Sequence, residues 1–428
     1  MDGREANPSA YLDYVARCRQ AFTPFAPIEL PDFFAGRAHV IEDIRGELEA
    51  PGRQVAIYGE RGVGKTSLAL LLYFFAGYDD NRVHIFRCQG ETTFDDICRH
   101  LLIDAGQLLG INGAQIETGS GAEGRLGPLS GSVARRTTVS YRPVRDSQTI
   151  TLSRMLDAFR PPRALLIIDE FDRVKDARTK TRMAEMIKHF SDARSETKIV
   201  IVGVAETLNE LIGQHESLSR SLAQIRLVRM DEPELRDIIT RGSQRTDATF
   251  DAPVVRKIVC LADGFPHFVH LLSLYASLYA GEPLRSDDGS RAHVGDREYH
   301  LGLKGAIAKS EHTLQETYES AIVTTRRKSD IYELTLRAAA LSEQRDVQVR
   351  ELAGHASYLT GTKLRPEKFS NPLGQLIKPE RGRILTKVRD GYYKFTNPLV
   401  RPYVRLLLEF DNLTHHDGQI EFPFMRAR

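Results

Sequence analysis

Apolar and polar residues follow two alternating rhythms in the first half of the chain. QVAIYG (54–59), VHIFRC (83–88), ALLIID (164–169) and KIVIVG (198–203) are short β-branched runs, apolar at successive positions, which predicts buried strands. Between and around them, apolar residues recur at helical spacing in 33–48, 65–77, 94–109, 151–159 and 178–193. A shorter amphipathic stretch, Tyr11 to Phe22, predicts one more helix ahead of these. Strands apolar on both faces and alternating with helices predict a parallel sheet covered by helices on each side.

Two segments depart from this rhythm. Residues 110–147 are rich in Gly and Ser and poor in apolar side chains, and read as an insertion too long for an ordinary connection. After about residue 230 the strands give way to helical periodicity over 232–325, with a loop predicted at 281–296. From about 326 the pattern predicts helices at 328–341, 346–358 and 366–377, then the runs ILTKV and YYKFT. These flank Asp390-Gly391, a pair suited to a tight hairpin turn. Short helices followed by a hairpin are the layout of a winged helix. The expected division is an N-terminal segment (1–33), a base (34–230), a helical lid (231–325), a winged helix (326–412) and a tail (413–428). There is no sequence repeat and no coiled-coil heptad pattern.

Composition narrows the classes without choosing among them. The 428 residues are 41% hydrophobic and 27% charged, ordinary globular usage that argues against wholesale disorder. Lys and Arg number 59 and Asp and Glu 57, so a polycationic nucleic-acid coat is excluded and any such contact must be a local patch. The four cysteines lie far apart with no CxxC pair, which predicts neither a zinc framework nor a disulfide scaffold and fits a reducing, cytoplasmic setting. The N-terminus has no apolar core of a secretory signal, and the longest apolar run, Leu68 to Gly77, is too short to span a bilayer.

The chemistry enters at Gly59-Glu60-Arg61-Gly62-Val63-Gly64-Lys65-Thr66, which fits G-x-x-x-x-G-K-[ST] between a predicted strand and a predicted helix. The glycines let successive N–H groups turn inward on a phosphate, and the helix that follows presents its positive end, roughly half a charge. Val63 and Ser67 flank the critical residues. Lys65 is placed to reach the β- and γ-phosphates, and Thr66 to offer its hydroxyl to Mg²⁺. The second element is Leu165 to Glu170, where an apolar strand carries Asp169 to the sheet edge, toward the Mg²⁺ shell. Glu170 is then the candidate general base for the attacking water. An Asp-Glu strand end is common by itself; its position about 100 residues after the phosphate loop, in the same sheet pattern, gives it meaning. No Asn-Lys-x-Asp guanine-reading motif is present, which favours ATP over GTP.

These motifs resemble those of AAA+ P-loop ATPases of the origin-recognition and STAND group. The resemblance covers roughly residues 34–400 and implies a P-loop NTPase sheet with a helical lid and a C-terminal winged helix. Phe34-Ala35-Gly36-Arg37 resembles the "GR" box that lines the adenine pocket in such proteins. Ile201 to Leu208 resembles the sensor-1 strand end, with Glu206 where origin-recognition proteins carry Asn. That departure implies that Glu206 contacts water or metal, or that Thr207 substitutes, and it leaves the hydrolysis rate open. Glu216 to Leu222 resembles the helix that carries an arginine finger, which implies that Arg220 acts on a neighbouring subunit in a homo-oligomer; Arg194 and Arg226 compete for the role. Such fingers accelerate hydrolysis by about 10³–10⁵. Gly264-Phe265-Pro266-His267 resembles the sensor-2 or G-x-P module of the lid, with Pro266 near the adenine and His267 or a neighbour at a phosphate.

The charge is unevenly spread. Between Lys363 and Lys394 nine basic residues face three acidic ones, an excess of six inside a protein of net +2. Lys368, Arg381, Arg383, Lys387 and Arg389 fall on the proposed third helix and wing, the parts a winged helix presents to DNA. The insertion adds Arg125, Arg135, Arg136, Arg142 and Arg145 against three acids. Three readings follow. One is an ATPase that assembles on duplex DNA. The second is a STAND-like ATP/ADP switch acting on a protein effector. The third is a nucleotide-bound scaffold that hydrolyses little. No nuclease, protease or transferase constellation accompanies the motifs.

Overall fold

A computed structural model describes residues 8–28, 30–106, 150–160, 162–212, 218, 220–285, 291–324, 327–328, 330–415 and 422–425. Helices α1 (Pro8–Ala21) and α2 (Ala38–Glu49) precede strand β1 (Gln54–Gly59) and helix α3 (Lys65–Phe75). Then follow β2 (Val83–Arg87), α4 (Phe94–Asp104), α5 (Leu152–Ala158), β3 (Leu165–Asp169), α6 (Ala177–Asp192), β4 (Lys198–Val204), α7 (Leu208–Ile212) and β5 (Leu222–Leu227). The strands form one sheet in the order β2-β3-β4-β1-β5, and every neighbouring pair is parallel. The insertion expected at 110–147 lies outside the described residues.

The period-2 pattern distributes the strands' side chains between two cores. Val55, Ile57, Leu165, Ile167, Val200 and Val202 face one, and Ala56, Tyr58, Leu166, Ile168, Ile199 and Ile201 the other. Each fully buried Val, Leu or Ile contributes about 1.5–3 kcal/mol, so the sheet is rigid enough to fix the loops at its edge. Strand β5 is absent from the elements that the sequence pattern predicts. Its run LAQIRL leaves Gln224 and Arg226 exposed, because as an edge strand it needs no continuous apolar run. Consequently Arg220 stands in the turn entering β5, not on a helix as expected; residues 213–217 and 219 lie outside the description.

A helical half follows: α8 (Glu232–Thr246), β6 (Thr249–Phe250), α9 (Ala252–Ala262), α10 (Pro266–Ala280), β7 (His293–Val294), α11 (Asp296–Lys309) and α12 (His312–Ile322). Asp231 and Glu234 form a capping box at the start of α8, and Pro266 opens α10, where its missing N–H costs nothing. Helix α1 packs against α8 and α10, and Tyr14 donates its hydroxyl hydrogen to the Ser277 carbonyl, 2.9 Å away. The chain closes with a short pair β8 (Val323–Thr324) and β9 (Arg327–Lys328), then α13 (Asp330–Ala340), β10 (Val347–Gln348), α14 (Val349–Thr360) and α15 (Ser370–Leu376). The hairpin of β11 (Leu385–Arg389) and β12 (Tyr392–Phe395) follows, with β10 on its β12 edge, and then α16 (Val400–His415). The hairpin turns at Asp390-Gly391 as its sequence predicts, with Gly391 at φ 76°. Helix α16 goes beyond the predicted elements; its buried face carries Arg401, Arg405 and Glu409 among the apolar residues, which breaks the stripe.

Candidate nucleotide-binding site

Strand β1 delivers Gly59 to the carboxyl edge of the sheet, and the loop from Gly59 to Gly64 hands the chain to α3. Gly59 has φ 152°, and a Cβ there would strike the carbonyl oxygen of Leu227 on the neighbouring strand. Gly62 has φ 87°, and a Cβ would lie 2.6 Å from Leu399 Cδ2, at the start of the C-terminal helix. Both positions therefore require glycine for backbone and for space. Lys65 is 7% exposed, and its Nζ donates to the carbonyls of Gly59 at 3.1 Å and Glu60 at 2.6 Å. Burial lowers its pKa to about 8, while Asp172 and Asp169 pull it back upward. The ammonium is thus held charged at the wall of a cavity.

Strand β3 places Asp169 beside it, 3% exposed. Burial raises the Asp169 pKa, against hydrogen bonds from the Glu170 amide at 2.8 Å and the Thr66 hydroxyl. Thr66 and Asp169 therefore present two oxygen donors in contact with each other, a set suited to a hard cation that keeps several waters, as Mg²⁺ does. Among the described residues no group of three or more His, Cys, Asp or Glu stands ready to hold a metal alone. Glu170 takes a left-handed backbone, φ 56°, and its carboxylate lies 3.2 Å from Arg173. Asp172, two residues on, accepts the Val204 amide hydrogen at 2.7 Å and so ties the ends of β3 and β4 together.

These groups open onto one cavity of about 540 Å³, within the range of small-ligand sites. Its lining unites Arg37, Gly62, Val63, Gly64, Lys65, Thr66, Ser67, Asp169, Glu170, Pro266 and His267. Gly59 contributes the carbonyl that holds Lys65. Arg37 is 2% exposed and uses Nη2 on the carbonyls of Val63 (3.3 Å) and Val228 (2.5 Å), bracing the phosphate loop against the exit of β5. Glu206 and Arg220 are not in the lining. Glu206 is exposed and paired with Lys394 of the hairpin at 2.9 Å, which holds its carboxyl below the usual range. Arg220 is exposed at the opposite end of the sheet, where its carbonyl accepts from Arg53 Nη1 at 2.8 Å.

A whole wall of the cavity carries no motif. Residues 23–28 line it. The Ile28 amide donates to Ser67 Oγ at 3.1 Å, and the Pro24 carbonyl meets His267 Nδ1 at 2.9 Å. TPFAPI has no periodicity; only the packing of α1 on α8 and α10 brings it there. Arg61, Asp172, Arg173, His270 and Glu311 also join the lining. Of these, Asp172 has a legible signal, the third acid in Asp169-Glu170-Phe171-Asp172.

A family model described as novel STAND NTPase 1 (nSTAND1) matches residues 20–387. The chain belongs to this family. Similar solved structures include the Walker-type ATPase PABY2304 of Pyrococcus abyssi, at 15% identity and TM-score 0.51, covering 90% of this chain and 99% of that one. The Aeropyrum pernix ORC2 protein is 14% identical with TM-score 0.44, covering 94% of this chain and 98% of that one. The Thermotoga maritima RuvB motor is 14% identical with TM-score 0.43, covering 86% and 95%. No curated protein matches the sequence. The nSTAND1 chain is thus an α/β P-loop NTPase, as its motifs imply. Among the described residues of this nSTAND1 protein no helix is long and apolar enough to cross a membrane.

Proposed function

We propose that the chain is an ATP-hydrolysing switch whose ATP or ADP state sets the position of its C-terminal part. Lys65 and the loop amides bind the β- and γ-phosphates. Thr66 and Asp169 hold Mg²⁺, which supplies neutralising charge to the phosphate oxygens, and Glu170 receives the proton of the attacking water. We divide the chain as base (34–230), lid (231–325), winged helix (326–412) and tail (413–428), with segment 1–33 working as part of the lid and pocket. The free cysteines, three of them buried, support a cytoplasmic setting.

The observation that carries the switch is that the C-terminal part rests on the phosphate loop. Leu399 packs on Gly62, Arg345 pairs with Glu60, and Lys394 pairs with Glu206 at the end of β4. Hydrogen exchange on the full chain tests it. A nonhydrolysable ATP analogue should deprotect 392–399 relative to ADP; equal protection in both states would sink the switch and leave nucleotide binding standing. Lys65→Ala should abolish the response by weakening nucleotide affinity about tenfold to a hundredfold or more, because a charge-assisted phosphate bond is lost. Unchanged affinity in that variant would remove the site assignment.

A homo-oligomer follows if Arg220 completes a neighbour's site. Six residues of β1, about 17–20 Å of strand, separate its end of the sheet from the phosphate loop. It therefore cannot serve its own chain. Mixing Arg220→Ala with Lys65→Ala subunits should restore part of the hydrolysis, since one intact site would form at a shared interface; no recovery at any ratio would exclude action in trans.

Duplex DNA is a second reading, favoured by exposed Lys368, Arg383, Lys387 and Arg389. Arg381 stands apart from them: its Nη1 donates to the carbonyls of Ala321 at 3.1 Å and Val323 at 2.6 Å, and the guanidinium lies 4.4 Å from the Tyr332 ring centre. Neutralising the four exposed residues should flatten the slope of log affinity against log salt by up to about 3.6, whereas Arg381→Ala should lower stability and leave the slope alone. A wild type that binds no duplex at low salt would leave the protein-effector switch as the reading.

A further inference from the structure

The cavity lining includes Ile28, Phe34, Met230 and Ile238, apolar side chains suited to a flat ring. Among the same lining residues the structure leaves polar atoms without partners. Thr23 Oγ1, Arg37 Nε, His267 Nε2 and His270 Nε2 are buried, make no hydrogen bond, and belong to residues that line this one cavity. Buried polar atoms are ordinarily paired, so such a concentration beside a cavity points to a ligand with a hydrogen-bonding edge.

The neighbours of the two histidines fix what each can offer. His267 Nδ1 faces the Pro24 carbonyl at 2.9 Å, and a carbonyl only accepts, so Nδ1 carries the proton and Nε2 is left as an acceptor. His270 Nδ1 receives the Thr23 amide hydrogen at 3.3 Å, so that nitrogen carries the lone pair and Nε2 carries the proton. Burial lowers the pKa of both, that of His270 to about 4, which keeps both rings neutral and preserves one acceptor and one donor. The two residues stand three apart on α10 and share one helix face.

We propose that His267 and His270 read the edge of the base and select adenine, His267 Nε2 accepting from the N6 amine and His270 Nε2 donating to N1. This rests on the nucleotide-binding reading above and adds the residues that discriminate. Guanine and hypoxanthine carry a carbonyl at position 6 and a hydrogen on N1. They set acceptor against acceptor and donor against donor, leaving both ring nitrogens buried and unsatisfied. Each mismatch should weaken binding about tenfold to a hundredfold.

Equilibrium binding of ADP, IDP and N6,N6-dimethyl-ADP to the full chain tests this without hydrolysis. The expected order is ADP tightest, with IDP and the dimethyl analogue each weaker by at least about tenfold. His267→Phe and His270→Phe should lower ADP affinity while bringing the ADP to IDP ratio toward one. His270→Gln, which retains an N–H, should recover part of the preference. His270 is buried, so the wild-type series decides where a variant does not fold. Equal affinity for ADP and IDP in the wild type, or an unchanged ratio in folded variants, overturns the proposal. Failure of all three diphosphates to bind overturns the nucleotide reading itself and the proposal with it.

Discussion

Glu170→Gln should bind ATP with near-wild-type affinity and release phosphate about 10²–10⁴-fold more slowly. The amide is isosteric with the carboxylate and fits the same left-handed backbone, so the shape of the cavity is kept. On the proposed mechanism, what is lost is the ability to take a proton from the attacking water. The carboxylate faces Arg173 at 3.2 Å and is 39% exposed. The pair therefore serves as a resting contact, worth little as a surface ion pair and easily exchanged. Phosphate-release kinetics together with an ATP affinity measurement separate the two effects. Undiminished turnover would transfer the role to another group, and Asp172, which also lines the cavity, is the one to replace next.

The sheet is legible in the sequence because its central strands are apolar on both faces, and the phosphate loop because its chemistry demands fixed spacing. Lys65, Thr66, Asp169 and Glu170 accordingly stand out from the residue order alone, and the fold gathers them around one cavity. Strand β5 is not legible, since an edge strand tolerates Gln224 and Arg226 on its outer face. Neither is the wall made by residues 23–28, whose position depends on α1 docking about 240 residues away in sequence. Helix α16 is hidden for a related reason. Arg401, Arg405 and Glu409 sit on its buried face, where sequence patterning expects apolar residues, because their partners lie on other elements. Glu206 shows the limit of motif transfer: its position matches a sensor strand end, yet its carboxylate is turned to Lys394.

Replacing Asp263 with Ala should lower the stability of the chain by about 3–5 kcal/mol, the usual cost of leaving buried charges without their counterion. Asp263 caps α9 at φ 54°, directly before the Gly264-Phe265-Pro266 turn into the nucleotide cavity. Its carboxylate receives Arg229 Nη1 at 2.6 Å, Arg401 Nε at 2.7 Å, Arg401 Nη2 at 2.6 Å and Arg405 Nη1 at 3.1 Å. Arg229 continues to Glu60 of the phosphate loop at 2.8 Å. One carboxylate thus joins the exit of β5, the α9–α10 turn and α16. Arg401 and Arg405 are 4% and 3% exposed, so neither can turn to solvent when the partner is removed. Burial alone would raise the Asp263 pKa, but Arg405, Arg401 and Arg229 outweigh it and hold the group below the ordinary 3.8. A depressed carboxylate pKa stabilises the fold fully above the unfolded value and loses that contribution as pH falls through the folded one. The wild type should therefore hold its urea midpoint steady in this respect above about pH 4 and lose it below. Asp263→Ala should show a lowered midpoint already at pH 7, and the difference from wild type should shrink in acid. Asp263→Asn keeps an acceptor without the charge and should fall between them. A wild-type midpoint in Asp263→Ala would show that the three arginines find other partners and that this junction does not hold the C-terminal part to the nucleotide site.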